Sequence, residues 1–160
     1  MTAFRGFTLI ELLVALAILA IVSAVAVPIY TQYSVRTYRA EAQSDLLACA
    51  QGMERHASRN FTYASGVDTD ADDEGDADTG TVWNPTLGTL SANLCRPKTT
   101  RYTLTVQAAD ADGFTMRATP IAGSPVASNG LLETDATGEQ RWDKNNDTDT
   151  ADAGEDNWHE

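Results

Sequence analysis

From Gly6 to Tyr30 the chain reads GFTLIELLVALAILAIVSAVAVPIY, and between Phe7 and Val35 the only side chain charged at neutral pH is Glu11. A helix needs about 20 apolar residues to cross a bilayer, and this run supplies them. Beyond it the polarity becomes one-sided. Val35, Tyr38, Ala42, Leu46, Cys49, Met53 and Ala57 recur at intervals of three and four, while Arg36, Arg39, Glu41, Asp45, Glu54, Arg55 and Arg59 fall largely off that face. The spacing predicts one helix continuing to about Ser58, apolar all round at first and amphipathic afterwards. NFTY at Asn60 to Tyr63 ends it and opens a long connection to about Cys95, with Trp83, Leu87, Leu90 and Leu94 as its apolar contacts.

From Arg101 the period changes to two. Tyr102, Leu104 and Val106 alternate with polar residues, AADADG turns, and Phe114, Met116 and Ala118 alternate in the same way, which predicts a β-hairpin. Pro120 ends it. SPVASNG leads to a third strand at Leu131 to Thr134, then Asp135 to Gly138 turns into a short fourth strand at Glu139 to Trp142. A three- or four-stranded antiparallel sheet with one apolar face needs a cover, and the amphipathic half of the helix supplies it. The fold class is α+β, a long helix with its C-terminal half packed on a small sheet.

A carboxylate inside an apolar run costs about 2.5 to 3.5 kcal/mol on insertion scales and asks for a partner. A secretory signal peptide, cut at Ala24-Val25-Ala26 to leave Val27 first, does not account for Glu11, and its apolar stretch would be shorter, about 7 to 15 residues. Cleavage after Gly6 does account for it: the new α-amino group of Phe7 lies four residues before Glu11, so the carboxylate can face a positive N-terminus on its own chain or on a neighbour. GFTLIE, with Gly6 before the cut and Phe7 after it, resembles the class III signal of type IV pilins and pseudopilins. RAEAQ at Arg39 to Gln43, NFTY, YTLTV at Tyr102 to Val106, FTMRATP at Phe114 to Pro120 and the DATG turn at Asp135 to Gly138 resemble the minor pilins of the PilE type.

The resemblance implies a type IV pilin fold and a division into a leader, 1–6, an assembly half-helix, 7–35, and a globular head, 36–160, carrying an acidic loop at 65–95 and an acidic tail at 143–160. It implies a prepilin peptidase that cuts after Gly6 and methylates Phe7, and an inner-membrane assembly platform. Glu11 would recruit each subunit to its neighbours, and Pro28 matches the proline that bends the family's helix, for the physical reason that proline removes a helical hydrogen bond. The chain would wait in the bacterial inner membrane and pass into an extracellular pilus for motility, adhesion or DNA uptake. A pseudopilin of type II secretion shares the N-terminus. A secreted or anchored acidic calcium-binding module is the alternative of another class.

The 160 residues leave room for one domain beside the apolar run, and a net charge of −12 opposes a phosphate backbone as the main partner, so no direct nucleic-acid binding is expected. Seven acids lie between Asp68 and Asp78 without a base, too polar a stretch to fold by itself. Cys49 and Cys95, in a chain that leaves the cytoplasm, point to one disulfide; the alternative is two separately buried thiols.

In the tail, Asp143, Asn145, Asp147 and Asp149 stand at alternate positions, as in the first half of an EF-hand loop, and make calcium a candidate ligand. Thr148 stands where that loop wants glycine and Gly154 where it wants a bidentate glutamate. Asp70, Asp72, Glu74 and Gly75 make a second partial match. Against both stands the reading of acidic runs as solvated surface. No cofactor is required, and no catalytic residue is identified: the two histidines, His56 and His159, belong to no nucleophile, phosphate-loop or zinc motif.

Overall fold

The computed structural model describes residues 7–64, 80–81 and 94–159. Helix α1, Leu9–Asn60, carries the whole N-terminal pattern. It begins at Thr8, whose extended backbone and hydroxyl cap the first turn, and ends at Phe61, which turns left-handed at φ 59° while its N–H donates to the Ala57 carbonyl at 2.7 Å. Pro28 lies inside the helix, and the Thr31 hydroxyl donates to its carbonyl at 2.8 Å.

The sheet is an antiparallel meander in chain order: β1 Gly80–Thr81, β2 Tyr102–Ala109, β3 Phe114–Pro120, β4 Leu132–Asp135 and β5 Gln140–Trp142. The last four are the expected strands, β2 running two residues into the AADADG turn and the others shifted by a residue at an end, and β1 adds a two-residue fifth on the β2 edge. Register follows the alternation, with Leu104 opposite Ala118, Val106 opposite Met116 and Leu132 opposite both Ala118 and Trp142. A shift between Val106 and Ala108 bulges β2, so that Ala109 rather than Ala108 returns to the buried face. The hairpin turn is held by Asp110, whose Oδ1 accepts the N–H groups of Asp112 and Gly113, each at 2.8 Å.

Ala42, Leu46, Cys49 and Met53 of α1 are fully buried and form one core with Val106, Met116, Ala118, Val126 and Leu132, the helix lying against β3 and β4. Each side chain of Leu or Met size buried there is worth roughly 1.5–3 kcal/mol. Val35 and Tyr38 join it only partly, and Ala57 is half-buried.

Two residues expected off this face are buried in it. Arg39 lies with its guanidinium 3.9 Å from the Trp142 ring centroid and donates to Asn129 Oδ1 at 3.2 Å. Asp45 accepts the backbone N–H groups of Lys98 and Thr99, each at 2.7 Å. Both are admitted because a buried charge is tolerable when partners surround it.

The tail also departs from the reading as solvated surface. After β5 it folds back over the free strand edge: the Trp142 N–H donates to the Glu155 carbonyl at 2.9 Å and Trp158 Nε1 donates to the carbonyls of Arg141 and Glu133 at 2.9 and 3.2 Å. Covering an edge in this way hides unpaired backbone groups from a second chain. The 68–78 run, its partial cation match, and Trp83, Leu87 and Leu90 lie outside the described residues, whereas Leu94 is buried as expected.

Candidate functional site

The N-terminal half of α1 presents its apolar side chains to the outside. Phe7, Leu9, Ile10, Leu13, Leu16, Ile18, Ile21 and Val25 are all exposed, and none of the most apolar stretch is buried inside the molecule. The helix is long and apolar enough to cross a membrane. Glu11 sits in a shallow groove with Ile10, Val14, Ala15 and Ile18, so one carboxylate is framed by aliphatic side chains.

Within the single chain that carboxylate answers to Thr8. Glu11 Oε2 accepts from the Thr8 N–H at 2.9 Å and from its hydroxyl at 2.8 Å, while the Glu11 N–H donates back to Thr8 Oγ1 at 3.3 Å. This is a capping box, legible as Thr-x-x-Glu at positions 8 to 11, and Thr8 is the site residue that the sequence reading passed over. Of the two residues expected to flank the cut, Phe7 is exposed and Gly6 lies outside the described residues.

The head is tied to this helix by a disulfide. Cys49 and Cys95 are bonded, with Cα atoms 5.0 Å apart. Gly52, one turn along the helix, lets the Leu94 backbone pass close by: a Cβ there would stand 2.5 Å from the Leu94 carbonyl oxygen. A second tie joins α1, the loop before β4 and β5, where Arg39 holds Asn129 and Trp142 Nε1 donates to the Asn129 carbonyl at 2.7 Å.

In the tail, Asp143 is buried and accepts from the N–H groups of Asp147 and Thr148 at 3.1 and 3.0 Å. Asn145 Oδ1 accepts from the Asp147 N–H at 2.9 Å, and its amide nitrogen donates to carboxylates of Asp147 and Asp152. Asp149 stands at the exposed outer turn and accepts from the Ala151 N–H at 2.9 Å. Among the described residues no three His, Cys, Asp or Glu side chains converge as they would on a metal ion. His56, near the end of the helix, stands with Nε2 3.3 Å from the Ala64 carbonyl and its ring within reach of the Asn60 side chain.

A family model described as "Type IV minor pilin ComP, DNA uptake sequence receptor" matches residues 28–129, well over half of the chain. The chain belongs to this type IV minor pilin family. A second model, the prokaryotic N-terminal methylation motif, matches residues 1–27 of the pilin. The type IV major fimbrial protein FimA of Dichelobacter nodosus is 38% identical over 84 residues, 52% of this pilin and 47% of that protein. A fimbrial protein of Moraxella nonliquefaciens is 40% identical over 76 residues, 45% and 47% of the two chains. The type IV major pilin protein PilA of Myxococcus xanthus is 35% identical over 60 residues, 38% and 27% of the two. The pilin thus matches about half the length, or less, of these curated relatives. No solved structure matches it. The methylation motif, the exposed apolar helix and the fimbrial relatives fit a membrane-anchored prepilin that passes into a pilus.

Proposed function

We propose that this pilin is a structural subunit of a type IV pilus, cut after Gly6 by a prepilin peptidase, methylated on Phe7, and drawn by an inner-membrane platform into a filament of pilin subunits. The observation that carries the reading is the half-helix itself: a fully exposed apolar surface interrupted by one carboxylate, in the segment that matches the methylation motif. In a membrane its aliphatic side chains face lipid. In a filament they face neighbouring helices, and Glu11 exchanges its Thr8 contacts for the amino terminus of an adjacent subunit. A misregistered helix leaves that carboxylate unpaired among aliphatic groups, so the pairing sets register. The fimbrial relatives support a pilus rather than a secretion pseudopilus or a module that never polymerises. The role needs no cofactor and no catalytic group.

The mass of the N-terminal peptide from shed filaments and from membranes tests this. A peptide beginning at methylated Phe7 in the shed fraction is the expected result, and a start at Val27 would refute it. Glu11→Val is expected to insert into the membrane as the unaltered chain does and to be missing from filaments; normal incorporation would remove the pairing role.

A second reading follows from the family description, which names a DNA uptake sequence receptor. The charge of −12 opposes it, yet RPKTTR at Arg96 to Arg101 carries three bases and no acid. This segment runs beside α1, with the Lys98 N–H on Asp45 and the Arg101 guanidinium over Tyr38. Any contact of this pilin with a phosphate backbone is assigned to these residues.

A further inference from the structure

We propose that the base of the head is a phospholipid seat: while the chain is anchored in the membrane, the β3–β4 loop rests in the headgroup layer and Arg36 holds the phosphodiester of a lipid in the groove beside it. The two ends of the head are chemically unlike. At the far end the β2–β3 and β4–β5 turns meet beside Tyr63, whose N–H donates to the Asp110 carbonyl at 2.9 Å, and Asp110, Asp112 and Asp135 gather there. At the near end, where Arg39 holds Asn129, lies the β3–β4 loop. From Ala118 to Leu132 no residue is ionisable, in a chain of which 21% is charged, and Ile121, Ala122, Pro125 and Ala127 are exposed.

Height along the helix decides what this end meets. At 1.5 Å per residue, Leu9 to Tyr30 spans roughly 32 Å, against a hydrocarbon core about 30 Å thick. Residues 31–35 therefore lie in the headgroup layer, which adds roughly 5–7 Å on each side. The loop stands at that level: a groove of about 400 Å³ is lined by Thr31, Gln32, Val35 and Arg36 of α1 and by Pro125 and Asn129. Tyr30 and Tyr33, 72% and 71% exposed, mark the same boundary, where amphipathic rings collect. Arg36 is exposed at the groove, its planar fork of donors matches phosphate oxygens, and its stem is long enough to bring the charge to them. The net charge of −12 does not oppose the seat, because a zwitterionic lipid carries the same phosphate on a leaflet without net charge. Seating fixes the depth of the apolar half and leaves Glu11 roughly 28 Å below Tyr30, at the opposite face of the hydrocarbon. It rests on membrane anchoring and is independent of entry into a filament.

The test uses the full chain in vesicles, with a nitroxide on Ala17→Cys, Ala127→Cys or Asp112→Cys read by electron paramagnetic resonance against nickel chelated on lipid headgroups. In phosphatidylcholine the Ala127 label should be relaxed several-fold more than the Asp112 label, which β3 places roughly 20 Å away. That excess should be largely lost in vesicles of an uncharged galactolipid and in Arg36→Gln, and kept in Arg36→Lys. An excess that survives both changes, or that inorganic phosphate restores in the galactolipid, would overturn the lipid phosphate as the ligand. Broadening of the Ala127 signal that disappears on dilution with unlabelled chain would mean that a second copy covers the loop instead. With the Ala17 label in contact with oxygen dissolved in the hydrocarbon, an Ala127 label no more relaxed than Asp112 refutes the seat alone; an Ala17 label outside the hydrocarbon would remove the anchoring and the seat together. If Arg36→Gln does not fold, the two lipids compared on the chain with Arg36 intact decide.

Discussion

Gly52 shows how one residue can run against its local preference for the sake of a long-range contact. In a helix interior, glycine is about 1 kcal/mol less favourable than alanine, so Gly52→Ala on local grounds should stabilise the chain. The added Cβ would stand 2.5 Å from the Leu94 carbonyl oxygen, and a backbone group cannot step aside as a flexible side-chain end does. Overpacking of this kind costs typically 1–3 kcal/mol and wins. Gly52→Ala is therefore expected to lower the unfolding midpoint of the chain in detergent, as read by circular dichroism. An unchanged or raised midpoint would show that the 94–95 segment moves freely against the helix. Gly130 obeys the same logic at a tighter place, with φ 70° and the Asp143 carbonyl where its Cβ would be, but nothing in the sequence marks either glycine as a point of contact.

Among the elements, the β4–β5 turn carries the clearest electrostatic signature. Burial pushes the Asp135 carboxyl up, but this is more than offset by the Thr137 hydroxyl at 2.6 Å, the N–H groups of Glu139 and Thr137, and the Arg141 guanidinium at 3.0 Å, so it titrates below the usual carboxylate range. A depressed folded-state pKa stabilises the fold above the unfolded value, about 3.9 for aspartate, and that contribution is lost as pH falls through the folded value. The chain should lose stability below about pH 4, and Asp135→Asn should flatten that acid limb while lowering stability at neutral pH. Denaturant midpoints between pH 2 and 7 measure both; a parallel acid limb in the variant would place the titrating group elsewhere. The turn was legible as DATG, because an aspartate that accepts from its own downstream N–H groups is a local event. The burial of Arg39 and Asp45 in α1 was not, because Trp142 and the Lys98–Thr99 backbone reach them from far along the chain.

At the scale of the whole molecule, charge is divided rather than uniform, with acids gathered in the 68–78 run and the tail, while RPKTTR carries three of the eleven bases and no acid. If the pilin contacts duplex DNA, Arg96→Ala with Lys98→Ala should weaken binding across all sequences and reduce the slope of log affinity against log salt by about two. Filter retention over a salt series reads this, and an unchanged slope would clear the segment of the role. The sequence by itself determined what depends on local periodicity: the apolar helix with its single carboxylate, its amphipathic continuation, the four main strands and their turns, and through GFTLIE the family. The expected Cys49–Cys95 disulfide is formed, a closure worth about 4 kcal/mol in the chain-entropy account. Tertiary structure alone decided that an acidic tail folds onto a strand edge with Glu155 inside it. The physical reason is range. Helical and strand patterns record which face of a segment is buried, whereas the partner across that face is chosen by the folded chain.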